Sequence, residues 1–170
     1  MRKAFTLIEL MVSIAILSII MLFLYKTYAQ LNISNKIYAS KVQEMQKYER
    51  IKKSLYLDLS VAKFGTVQTL NQDKKVDIVF MQTSHSLYKR VMPNVAYVVK
   101  EKKLYRLESL EPFKEYPLVA DSNFVSEFLG EVEIFRLYKS NEANTELYLL
   151  HAEFKEYGEI LLKIKLFNEL

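Results

Sequence analysis

The run FTLIELMVSIAILSIIMLFLY, residues 5–25, constrains what this chain can become more than any other feature. Apart from Glu9 it carries no charge, and as a helix its 21 residues span about 31 Å, close to the hydrocarbon thickness of a bilayer. Arg2 and Lys3 precede it and a single Lys26 follows, so the positive-inside tendency puts the short N-terminus in the cytoplasm and the bulk of the chain across the membrane. A secretory signal peptide shares this plan, but its apolar part is normally about 7 to 15 residues and ends at a small-x-small site. Here the run is longer and passes without a break into a helical pattern. The segment is therefore expected to stay on the mature protein.

Beyond it, apolar residues recur at Tyr28, Leu31, Tyr38, Val42, Met45, Tyr48, Ile51, Leu55, Leu59 and Ala62, nearly all three or four apart. That spacing is an amphipathic helical stripe, and neither Gly nor Pro interrupts residues 5–64. The pattern implies one continuous helix, its first half in lipid and its second half packing one face onto a soluble domain. The drifting spacing fits domain packing better than strict heptads.

From Gly65 the pattern becomes short apolar or alternating runs. Residues 76–83, 95–100, 103–109, 131–139, 145–154 and 159–167 read as strands, with a polar hairpin turn inside YVVKEKKLYRL, a turn cluster in SNEAN and a break at Gly158. In the last run Leu162, Ile164 and Leu166 alternate with Lys163 and Lys165, giving one buried and one wet face. Short connections between successive strands, with one long helix laid against them, imply an α+β fold built on an antiparallel sheet.

Composition closes off several chemistries. There is no cysteine, so a thiol nucleophile, a disulfide scaffold and a cysteine zinc site are excluded. Three glycines, none before position 65, cannot build a phosphate-cradling loop. His85 has no second ligand at a recognisable metal spacing, and His151 reads as a core or surface imidazole. Asp73, Asp77 and Asp121 form no calcium-loop pattern. Lys36, Lys41, Lys47, Arg50, Lys52 and Lys53 alternate with Glu44 and Glu49, and the net charge is only +4, so no nucleic-acid partner is expected. The chain is expected to be no enzyme and to need no metal and no cofactor.

The N-terminal residues KAFTLIELMVSIAILSII resemble those of type IV pilins and of type II secretion pseudopilins: a short basic leader, a small residue, then Phe-Thr-Leu-Ile-Glu and a long apolar helix. The resemblance implies that prepilin peptidase cuts between Ala4 and Phe5, that the new Phe5 amine is methylated, and that Glu9 pairs with the Phe5 amine of a neighbouring subunit. Ala4 stands where the family usually has glycine. Further on, YERIKKSLYLDLSVA and VAYVVKEKKLYRLES resemble the helix end and hairpin of J-type minor pseudopilins, with Tyr97, Leu104 and Arg106 as the matching landmarks. The helix-breaking proline found in the membrane half of many major pilins is absent, which suits a minor, tip-located or initiating role.

The resemblance implies a leader at 1–4, a transmembrane and filament-core helix at 5–25, an amphipathic extension at 26–64 and a β-rich periplasmic domain at 65–170. The expected function is a minor pilin or pseudopilin of a type II secretion, type IV pilus or DNA-uptake filament. Its expected partners are prepilin peptidase, other pilins and the bacterial inner membrane. The competing expectation is a single-pass anchored periplasmic domain that never polymerises.

Overall fold

The structure is a computed structural model that describes residues 6–113, 116–117, 123–140 and 146–167. Ala4, Phe5, Asp121 and the turn residues 141–145 lie outside them. The chain divides into two compact units, Met1–Gln46 and Lys47–Leu170. Helix α1 (Leu7–Ser60) runs through the first unit into the second. Seven strands come after it: β1 (Gln68–Asp73), β2 (Val76–Gln82), β3 (Asn94–Lys100), β4 (Lys103–Ser109), β5 (Phe124–Lys139), β6 (Leu147–Phe154) and β7 (Gly158–Lys165). The fold is α+β, one long helix with a seven-stranded sheet.

In the first unit the helix bears apolar side chains on all sides, and they are exposed: Leu7 is 78% and Phe23 69% accessible. Three of its hydroxyls bond back to the helix. Ser13 Oγ donates to the Glu9 carbonyl at 2.7 Å, Ser18 Oγ to Ile14 at 2.8 Å and Thr27 Oγ1 to Phe23 at 2.9 Å. Such back-bonding satisfies these donors on the surface of the apolar run, where hydrocarbon offers no partner. Among the described residues this is the helix long and apolar enough to cross a membrane.

The amphipathic stripe is buried only toward its end. Ile51, Leu55 and Leu59 are at most 3% exposed, whereas Tyr28, Leu31, Tyr38, Val42 and Met45 are all more than half exposed. The exposed five belong to the first unit, which has no β layer of its own to cover them. The helix also stops at Ser60, short of the expected residue 64. Val61 N–H still reaches Leu57 at 3.1 Å, Ala62 N–H turns to Leu59 at 3.3 Å, and Lys63 N–H then bonds Gln82 at 2.7 Å. The sheet captures the backbone there, and Gly65, at φ +75°, makes the turn into β1.

The strands lie in the order β1-β2-β3-β4-β5-β6-β7, each antiparallel to the next, with one extra parallel contact between Val76 of β2 and Phe135 of β5. β2 and β3 are buried on both faces, which is why they read as unbroken apolar runs. Val79, Met81, Val95, Tyr97 and Val99 face the core that holds Ile51, Leu55 and Leu59, while Ile78, Phe80, Ala96 and Val98 form a second core with Leu107. Ile160 and Ile164 of β7 point into the first core with Lys163 and Lys165 outside, the alternation expected from the sequence.

Two strands differ from expectation. β1 was not foreseen, because QTLNQD holds one apolar residue and every position is exposed on the sheet's edge. β5 begins at Phe124 instead of 131 and continues through Gly130, where the register with β4 shifts. At Gly130 a Cβ would come within 3.0 Å of the Phe154 ring, so the glycine admits the ring without ending the strand. The polar turn is confirmed between β3 and β4. Its two residues, Glu101 and Lys102, have φ +52° and +61°, the pattern of a primed hairpin turn built without glycine.

Candidate functional site

Two groups of polar residues are built with purpose, one at the start of α1 and one under its end. At the start, Thr6 N–H donates to Glu9 Oε2 at 2.9 Å and Thr6 Oγ1 donates to the same oxygen at 2.8 Å, while Glu9 N–H reaches back to Thr6 Oγ1 at 3.4 Å. Thr6 and Glu9 thus form a reciprocal capping box, Thr-x-x-Glu, on the first helical turn. The carboxylate also sits where the helix dipole favours negative charge. Glu9 therefore has a local partner, and Oε1 has none among the described residues.

Under the helix end lies a buried ion network that sequence reading did not assemble. Asp58 and Glu108 are wholly inaccessible and Arg106 is 1% exposed. The Arg106 guanidinium grips Asp58 with two bonds, Nε to Oδ2 at 2.7 Å and Nη2 to Oδ1 at 3.1 Å, and sends Nη1 to Glu108 Oε2 at 2.7 Å. Tyr97 OH donates to Asp58 Oδ2 at 2.5 Å, and His85 Nδ1 lies 2.6 Å from Oδ1. Glu108 in turn accepts from Ser86 Oγ at 2.6 Å and Leu87 N–H at 3.1 Å.

Burial alone would raise the Asp58 carboxyl, but the bonds from His85 and Arg106 outweigh it and hold it below its ordinary value. Burial opposes ionisation of Glu108 too, and Ser86, Arg106 and the Leu87 N–H prevail, lowering it. Burial and the Asp58 charge push the Tyr97 phenol well up. The network joins the helix (Asp58), the β3–β4 hairpin (Tyr97, Arg106, Glu108) and the loop after β2 (His85, Ser86). It fixes how these elements meet.

A signal for it existed. Asp58 falls three residues after Leu55 on the helix's apolar face, and Arg106 and Glu108 share the inward side of β4 with Leu104, so opposite charges were aimed at one core. His85, which sequence analysis left without a partner, finds Asp58 across 27 positions. His151 Nε2 lies 3.0 Å from Glu159 Oε1 near the surface, and Asp77 is a buried acceptor for the Leu137 N–H at 3.0 Å. Among the described residues no three His, Cys, Asp or Glu side chains are grouped to hold a metal ion.

Residues 1–25 match the family described as the prokaryotic N-terminal methylation motif. That motif is the signature of type IV pilins and pseudopilins, structural and not catalytic proteins, and the chain carries it. It supports a pilin-like or pseudopilin subunit processed by prepilin peptidase, anchored in a membrane and assembled with other pilins. The J-type landmarks at Tyr97, Leu104 and Arg106 lie outside the matched residues. No curated protein matches the chain.

Proposed function

We propose that the chain is a minor pilin or pseudopilin of a secretion, pilus or DNA-uptake filament, cut between Ala4 and Phe5 and methylated at Phe5. Its helix is drawn from the bacterial inner membrane into the filament, and its domain lies on the periplasmic side. One observation carries the reading: the methylation motif opens a helix whose apolar surface is exposed on every side, so it needs lipid or other subunits around it. In this reading Glu9 accepts the methylated Phe5 amine of a neighbour through Oε1 while Oε2 keeps the Thr6 cap.

The capping box favours a second reading, a single-pass anchored domain that never polymerises, because it gives Glu9 a task that needs no neighbour. Cross-linking of the parent to other subunits separates the two, and Glu9→Gln tests the pairing itself. Glutamine is an accepted capping-box partner, so the cap and the helix survive while the charge is lost. Leader removal is followed by intact mass, and assembly by cross-linking to other subunits in the native membrane. Normal cleavage with assembly reduced about tenfold or more is expected, since a buried amine left without its counter-ion is costly. Parental cross-linking by the Glu9→Gln protein would refute the pairing of Glu9 with a neighbour's amine, and a parent that forms no cross-links to other subunits would leave only the anchored-domain reading.

A further inference from the structure

Beside the buried network a cavity of about 410 Å³ opens to the surface, within the size range of small-ligand and side-chain pockets. It lies wholly within the second unit, so its role does not depend on whether the chain enters a filament. Its walls are Ile51, Leu57, Leu87 and Leu129 with the ring of Phe128, and its rim is cationic, with Lys47, Arg50 and Lys53 along one stretch of α1. Lys47 Nζ is held over the rings of Tyr157 and Phe128, 5.3 and 5.9 Å from their centres. Arg50 and Lys53 are exposed and make no ion pair among the described residues.

The far wall is fixed in advance. His85 and Leu87 belong to the loop that Asp58 and Glu108 tie down from inside, and Arg90 Nη1 adds a bond to the Glu108 carbonyl at 3.0 Å. Within the loop, Lys89 and Met92 hold φ +58° and +46°, conformations such side chains rarely adopt. The buried network thus shapes this pocket as well as docking the helix.

The pocket is also lined by one acidic side chain. Glu127 lines it from β5, and its Oε2 is buried with no hydrogen-bond partner among the described residues. A simple anion would answer the three cations but be repelled by the Glu127 carboxylate. A peptide answers both, because its backbone N–H can donate to Glu127 while an acidic side chain meets Arg50 and Lys53 and an apolar neighbour fills the space between Ile51, Leu87 and Phe128. We propose that this pocket is a recognition site for an acidic, apolar-flanked peptide segment of a partner protein.

The test uses the full chain in nanodiscs of uncharged phosphatidylcholine. The probe is an end-blocked hexapeptide of alternating Glu and Leu, carrying a neutral dye and followed by fluorescence anisotropy. It is expected to bind, and to bind more weakly as salt is raised. Its Gln-Leu counterpart should bind at least about tenfold more weakly, and Arg50→Gln with Lys53→Gln should cost a similar factor, the loss of charge-assisted bonds. Both replaced side chains are exposed, so the variant keeps its core. Equal binding of the Gln-Leu peptide, unchanged affinity in the double variant, or displacement of the peptide by an equal concentration of inorganic phosphate would each overturn the proposal.

Discussion

Replacing Arg106 by methionine removes the guanidinium that binds both Asp58 and Glu108 and leaves two carboxylates, each wholly inaccessible, facing a thioether of similar length. Breaking a buried pair by deleting one partner costs about 3–5 kcal/mol, and here one deletion takes the cation from two carboxylates, which keep only the bonds from Tyr97 and His85 and from Ser86 and the Leu87 N–H. The loss at pH 7 should therefore lie near the upper end, about 4–5 kcal/mol, a large fraction of a domain's stability. The pH dependence fixes the mechanism. In the parent both carboxyls titrate below their unfolded-state values, so their contribution is complete above the ordinary carboxyl range and is lost only as pH falls through the lowered native values.

In the variant the balance moves toward burial. Without the cation, only His85 and Tyr97 at Asp58 and Ser86 and the Leu87 N–H at Glu108 oppose burial, so the native carboxyls are expected to titrate above those of the parent and protonation to relieve the strain. The deficit relative to the parent should then shrink between pH 7 and pH 5, by at most about 1.4 kcal/mol per pH unit for each group. A neutral triple variant, Asp58→Asn, Arg106→Met and Glu108→Gln, should recover most of the loss at pH 7. Urea unfolding of the full chain in nanodiscs, followed by near-ultraviolet circular dichroism of the tyrosines, reads all three proteins. A deficit below about 1 kcal/mol at pH 7, or one that grows toward pH 5, would refute the reasoning.

The same assay checks two further expectations. Leu55→Asp, at a position with no exposure, should cost about 3 kcal/mol or more, whereas Val42→Asp, about half exposed, should stay within about 0.5 kcal/mol of the parent; equal effects would mean that the buried part of the stripe is misplaced. Glu101→Asn with Lys102→Gly should stabilise the domain by about 1 kcal/mol, because both residues now occupy left-handed conformations that Asn and Gly adopt more readily. No gain in unfolding midpoint would show that the hairpin carries no such strain.

How much of this was legible from the chain depends on the range of the interactions. The helix, β2, β3, β4, β6 and β7 follow from local pattern, because their apolar residues repeat at the period of the element. β1 escaped because an exposed edge strand needs no apolar face, and its identity comes from pairing with β2. β5 was placed from 131 instead of Phe124, because a glycine such as Gly130 that makes room for Phe154, 24 positions away, looks the same in sequence as one that ends a strand. Arg106 and Tyr97 were marked by resemblance alone. Their partner Asp58 was visible only as a charge on an apolar helix face, and nothing local could say that His85 would close on it. At the N-terminus the reverse holds: the motif was readable at once, while the Thr6–Glu9 capping box it contains became clear only with the geometry.

The mass of the mature N-terminus tests the filament proposal most directly. The protein is taken from its native membrane, in a cell with an active prepilin peptidase, and its first peptide is sequenced by mass spectrometry. The expected peptide begins at Phe5 and carries one methyl group on its amine, with the leader MRKA gone. A protein that keeps Met1, or that begins at Phe5 with a free unmethylated amine and no cross-links to other subunits, would contradict the assignment as a processed filament subunit.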